Sequence, residues 1–196
     1  ELLANWGNLV NRTLVSAHRN FGTVPEPGEL TTEDKAVLDG VAAAFAEVGA
    51  LIEQVRFRAA IAAAMRTSTL ANQYVAEQAP WALVKTDRDR AATVLYVSLR
   101  LVDSLKTLLA PFLPFTSQVV HELLGYDGYL AGPLAFETVT EEDGSPHEVL
   151  TGDYESWVGS WTPSELPAGQ QLREPQPLFR KLPPETAAEE LARLGL

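Results

Sequence analysis

The sequence contains no cysteine, one methionine and three histidines. Without thiols there is no disulfide, no thiolate nucleophile and no Cys-based zinc site. His18, His121 and His147 lie too far apart in the chain to give a metal-ligand spacing. There is also no Ser–His–Asp spacing, no glycine-rich phosphate loop and no His-Glu-x-x-His helix. Neither a metal nor a catalytic residue is therefore expected in this chain. No apolar run approaches the roughly 20 residues needed to span a bilayer, so no membrane partner is expected. The opening Glu1-Leu2-Leu3-Ala4-Asn5-Trp6 carries no basic stretch and no cleavage signal. It reads as a helix already under way, so residue 1 is expected to be a domain boundary and the location cytoplasmic. Basic residues are scarce too. Fifteen Lys and Arg stand against 26 Asp and Glu, a net charge of −11. That balance argues against general nucleic-acid binding, because phosphate contacts want a basic surface.

What is present is unevenly spread. Residues 1–125 carry 11 basic and 13 acidic side chains, whereas residues 126–196 carry 4 and 13. The first part is nearly neutral and can still use a local basic patch to read a few bases. Its hydrophobic spacing is helical. Leu2, Leu3, Trp6, Leu9, Val10, Leu14 and Ala17 mark one face of a helix over residues 1–20. After a Gly- and Pro-rich loop, Thr31 or Thr32 is placed to cap a second helix, with Glu33 and Asp34 suited to its positive end. A third helix is predicted from about Arg56 to Gln78, with Phe57, Ile61, Met65, Leu70 and Tyr74 as its core, and Pro80 ends it. A fourth covers about Arg88 to Ala110, and a fifth about Phe115 to Leu124, closing at Gly125.

From Tyr126 the texture changes. Glu142-Asp143-Gly144 between β-prone runs predicts a hairpin over about 136–150. Residues 151–183 look irregular, with Trp157 and Trp161 as anchors onto the bundle, and residues 184–195 form a short amphipathic helix. The expected fold is all-α: an up-down helix bundle over 1–125, an irregular acidic extension with a β-hairpin over 126–183, and a C-terminal helix over 184–196. In such a bundle the first and third helices end at the same tip. His18-Arg19-Asn20 should therefore meet Ala79-Pro80-Trp81.

That tip holds the candidate chemistry. Trp81, directly after a helix-ending proline, either packs back under the last turn or offers a platform for an unpaired base. Arg19 can donate two hydrogen bonds to a base edge, or simply sit at a helix C-terminus favoured by the dipole. Asn20 can assist or cap the helix. Arg12, Arg88 and Arg90 can meet phosphates, or be solvated surface charges. His121 reads as a partly buried polar residue.

Three stretches carry a resemblance: Gly7-Asn8-Leu9-Val10-Asn11-Arg12-Thr13 with Arg19 and Phe21-Gly22; Ala71-Asn72-Gln73-Tyr74-Val75 with Glu77-Gln78-Ala79-Pro80-Trp81; and Leu109-Ala110-Pro111-Phe112-Leu113-Pro114-Phe115-Thr116. In order and spacing they resemble the anticodon-binding domain shared by the class I synthetases for methionine, valine, leucine and isoleucine. The second stretch, and the continuation from Leu166 to Leu182 with Pro177-Leu178-Phe179-Arg180-Lys181, look like the methionyl branch. The alanine-rich, acidic composition suits a bacterial source of high GC content.

The resemblance implies a module that recognises the CAU anticodon of methionine tRNA within a methionine–tRNA ligase. Carried over by position, its base contacts are Arg19 and Trp81. The polar position one turn before that arginine is Val15 here, leaving Asn20 or Asn11 to supply a further contact. The family's ATP-binding motifs of the His-Ile-Gly-His and Lys-Met-Ser-Lys-Ser types do not occur in this chain. ATP with magnesium is implied only for the parent enzyme, through a catalytic Rossmann domain elsewhere in the same polypeptide. Two other readings stand beside this one: the same module from a valyl, leucyl or isoleucyl enzyme, and a non-enzymatic helical scaffold for protein partners.

Overall fold

The computed structural model describes residues 2–132, 135–151, 159–179, 183 and 185–193. The first helix opens unusually. Leu3–Gly7 form a π-helical turn, closed by Gly7 N–H donating to the Leu2 carbonyl, and α1 follows at Asn8–Phe21. In this turn Trp6 is fully buried while Asn5 faces the third helix. There the Asn5 side-chain oxygen accepts from Ser68 and Asn72, and its amide donates to Thr69. The helix α2 spans Thr32–Glu53 and starts with a reciprocal capping box between Thr31 and Asp34. The helix α3 spans Phe57–Gln78, α5 spans Arg88–Leu109 and α6 spans Pro114–Leu123. Between α3 and α5 lies a short helix not foreseen from the sequence, α4, Pro80–Thr86, with proline at its first position.

Of the core expected for the third helix, Tyr74 is buried and Ile61 and Met65 are partly buried, whereas Phe57 and Leu70 are not. Ala60, Ala63, Ala64, Thr67, Ser68 and Ala71 are buried, while Phe57 and Leu70 are exposed. Small side chains let α3 lie close to α2 and α5, with Tyr74 and Val75 buried toward its end and Phe57 and Leu70 left on the outside. The centre is α5, which packs against α1, α2, α3, α4 and α6. Its buried residues run on every side, from Ala91 to Leu109. This is the all-α bundle expected.

The predicted hairpin is present as β1, Ala135–Thr140, antiparallel to β2, Pro146–Thr151, with Phe136 opposite Leu150. It stands off the bundle, its strands largely exposed, and meets α6 through a stack of Phe136 on Phe115. The later segment is irregular but well used. Trp161 anchors it as expected: its indole N–H donates to the Phe45 carbonyl and its ring meets Phe45 edge-on. Trp157, and Arg180, Lys181 and Leu182 of the family-like segment, lie outside the described residues. Leu166 and Leu172 enter the bundle core. Gln171 bridges to Thr23, so the strap closes over the exit of α1. It passes so near Gly125 that a Cβ there would lie 2.0 Å from the Gln171 carbonyl oxygen, which with a φ of +89° admits only glycine. The last described helix is α7, Thr186–Arg193.

At the tip where α2 and α5 begin and α3 ends sits Asp34, with no solvent exposure. The Arg90 guanidinium grips its two oxygens at 2.6 and 2.8 Å, and the Tyr74 hydroxyl donates to it at 2.5 Å. Burial pushes the Asp34 carboxyl up, but the hydrogen bonds from Arg90, Tyr74 and the Thr31 backbone outweigh it and hold it at about 2. Burial and the neighbouring Asp34 charge push the Tyr74 phenol well above its ordinary range, so it stays a neutral donor. Arg90, expected as a possible phosphate contact, has its guanidinium engaged by Asp34 and Gln78.

Arg90→Ala strands a buried carboxylate and should cost about 3–5 kcal/mol in urea unfolding. Because the folded Asp34 value is depressed, its contribution is full above the ordinary 3.8 and is lost as pH falls toward 2. A plot of unfolding free energy against pH should therefore fall across that window in the parent protein, and by about 2 kcal/mol less in Asp34→Asn. At the α3–α4 corner, Ala79 has a φ of +43°, left-handed for a residue with a Cβ. Ala79→Gly relieves that strain and should leave stability unchanged or raised by up to about 1 kcal/mol. A lower melting temperature would refute this.

Candidate nucleic-acid interface

The convergence expected of the bundle is realised. The end of α1 meets the corner after α3, and α1 and α4 together enclose a groove of about 740 Å³ lined by Asn11, Arg12, Val15, Ser16, Arg19, Asn20, Trp81, Val84 and Lys85. The direction of α4 is set at one residue, the left-handed Ala79, which is the C-cap of α3 and the N-cap of α4. Pro80 is buried behind it, and Trp81 on the next position is 46% exposed. Trp81 therefore does not pack back under the helix. An indole with half its surface in solvent is a platform on which a base can stack.

The arginine that meets Trp81 is Arg12. Its guanidinium carbon lies 4.5 Å from the centre of the indole ring, a cation–π contact. Arg19 is two turns further along α1, exposed on the groove wall. Sequence reasoning assigned Arg12 to phosphates and Arg19 to a base; the structure puts Arg12 at the platform and Arg19 at the rim. One turn before Arg12 is Asn8, a polar exposed residue that sequence reasoning passed over. Lys85, one turn after Trp81, was also missed, because the stretch after Pro80 reads as a connection rather than a helix. Arg12, Arg19 and Lys85 give the groove three cations, and no acidic side chain lines it. A local basic patch thus exists within a strongly acidic chain.

Two other expected contacts serve the scaffold. The Asn20 side-chain amide donates to the Ser16 carbonyl at 2.7 Å, capping α1, although the residue still borders the groove. Arg88 donates to the Asn20 carbonyl at 2.7 Å and lies 4.6 Å from the centre of the Phe21 ring. It braces the end of α1 while its side chain remains exposed. Asn11 is exposed between this groove and a second one, where Phe179 packs onto Gly7.

Away from the tip, His121 stacks on Tyr126 at 4.7 Å with both ring nitrogens buried and without hydrogen-bond partners. Burial and the nearby Lys106 charge depress its pKa, so it is a neutral core residue. Lys106 in turn pairs with Asp103, which also accepts from the Tyr126 hydroxyl, and its ammonium lies 4.1 Å from the centre of the Tyr126 ring. Among the described residues no three His, Asp or Glu side chains gather as a metal site, and no helix is long and apolar enough to cross a membrane.

Comparison with known proteins agrees with this architecture. A family model described as the anticodon binding domain of methionyl tRNA ligase matches residues 24–132, more than half of the chain. The chain is 56% identical over 194 residues to the methionine–tRNA ligase of Chloroflexus aurantiacus, covering 99% of this chain and 32% of that protein. It is 57% identical over 194 residues to that of Chloroflexus aggregans, again covering 99% and 32%. It thus spans about a third of the length of these curated relatives. Among solved structures, Mycobacterium tuberculosis methionyl-tRNA synthetase in complex with methionyl-adenylate matches with a TM-score of 0.70 at 26% identity, covering 91% of this chain and 31% of that one. The free form of that enzyme shares the fold, with a TM-score of 0.73 at 24% identity over 93% of this chain and 33% of that one. The chain belongs to the family of the anticodon-binding domain of methionyl tRNA ligases.

Proposed function

We propose that the groove between α1 and α4 reads the CAU anticodon of methionine tRNA. The observation that carries this reading is Trp81, half exposed at the tip, with the Arg12 guanidinium on its ring and Arg19 and Lys85 on the same wall. An unstacked anticodon base stacks on the indole, a contact worth roughly 1–3 kcal/mol. Arg12, with its planar fork of donors, is in reach of that base's edge. Arg19 stands where a neighbouring base or phosphate passes, Lys85 offers a point charge to the backbone, and Asn11 and Asn20 border the path.

The bundle over residues 1–125 carries the reading surface in this proposal. The described strap over residues 159–179 fastens it, and the chain leads back toward a catalytic Rossmann domain in the same polypeptide. That whole polypeptide ligates methionine to its tRNA, drawing on ATP with magnesium, in the cytoplasm. The methionyl-adenylate in the Mycobacterium tuberculosis enzyme supports the use of ATP. This domain's part is to deliver the tRNA; the activation chemistry lies outside it.

Binding of a CAU anticodon stem-loop and of single-base variants by the complete polypeptide tests the reading. Trp81→Ala should cost roughly 1–3 kcal/mol on all loops with an intact stack. Arg12→Ala should weaken CAU most and narrow its lead over the variants. Arg19→Ala and Lys85→Ala should weaken every loop alike and flatten the salt dependence. Full affinity in both Trp81→Ala and Arg12→Ala would refute the assignment.

A further inference from the structure

Trp81 is useful as a platform only if α4 leaves α3 in one direction, and that direction is set at a strained residue. Ala79 holds a φ of +43°. Strain of this kind persists only where the surroundings over-determine it. On one side of Ala79, Pro80 is buried. On the other, the Gln78 side-chain oxygen accepts from Arg90 Nη2 at 2.7 Å. Arg90 cannot turn away from that contact, because both of its terminal nitrogens are held by Asp34. Asp34 is in turn fixed by the Thr31 backbone N–H at 3.0 Å and by Tyr74. The last residue of α3 is therefore tied to the most constrained point in the bundle.

We infer that Arg90, acting through Gln78, is a positioning residue for the anticodon groove: it locks the α3–α4 corner so that Trp81 faces Arg12 across the groove. Gln78 does not line the groove, so any effect it has on RNA passes through the corner. The inference rests on the groove being the RNA-reading surface.

The test uses the complete polypeptide that carries this domain. Gln78→Ala removes one acceptor and leaves the contacts among Asp34, Arg90 and Tyr74 in place, so the melting temperature should stay within about 2 °C. Its affinity for the CAU stem-loop should fall about tenfold. Gln78→Glu restores an acceptor for Arg90 and should recover affinity to within about twofold. A 19F signal from 5-fluorotryptophan at position 81 should broaden in Gln78→Ala and sharpen again in Gln78→Glu, while that of buried Trp6 stays unchanged. Wild-type affinity and an unaltered Trp81 signal in Gln78→Ala, with Trp81→Ala still impaired, would overturn the positioning role and leave the groove reading intact. A large drop in melting temperature in Gln78→Ala, matched by the loss of affinity, would overturn it too, as a stability effect. Wild-type affinity in Trp81→Ala would remove the groove reading itself, and this inference with it.

Discussion

A carboxylate without solvent access sits where two helices begin and a third ends, and that end of the bundle is organised around keeping it charged. Asp34 would be costly as an isolated anion. It is tolerated because a guanidinium takes both of its oxygens, a phenol donates to one of them and a backbone amide completes the set. The partners come from α2, α3 and α5, or from the residue capping α2. Satisfying the charge thus fixes the mutual placement of three elements at once. A hydrophobic contact at the same place would tolerate sliding; this set of bonds does not. The groove is built on the adjoining residues, Arg88 behind one wall and Gln78 behind the other.

The opposite requirement governs the middle of the bundle. There α3 offers alanines and small hydroxyl residues to its neighbours, and some of those hydroxyls are satisfied within their own helix. Thr67 returns its hydroxyl to the carbonyl of Ala63, and Ser98 does the same to Val94. Close packing without directional bonds supplies cohesion, and the ionic tip supplies register. The strap then covers what the helices leave open, inserting Leu166 and Leu172 and donating the Ser164 backbone N–H to Ser104.

Much of this could be read from the residues. The spacing of apolar side chains located α1, α2, α3, α5 and α6, and bundle topology alone brought the end of α1 to the corner after Gln78. Four things were hidden, each for a physical reason. Seven residues that start at a proline and stop before an aspartate look like a connection, and only packing of α4 against α5 shows them as a helix. Arg12 and Arg19 both lie on the groove side of α1, and which one reaches Trp81 depends on how α1 crosses α3, which no single-chain periodicity encodes. Arg88 and Arg90 resemble any two exposed arginines until the acceptors are known. Asp34 read as a charge favourable to a helix dipole, whereas its burial depends on residues 40 and 56 positions away.

The hairpin stands apart from all of these constraints. Its strands are largely exposed, and it rests on the bundle through one aromatic stack, Phe136 on Phe115. The strap beyond it is fastened by its own contacts, Trp161 on Phe45 and Gln171 beside Thr23. The entropy of closing a loop grows only with the logarithm of its length, about 0.6 kcal/mol per doubling. Lengthening or deleting the hairpin therefore changes the cost of reaching the strap by less than a single buried hydrogen bond contributes. For evolution this is a stretch of chain whose length is nearly neutral. A change of length here leaves the tip at the far end of α1 undisturbed.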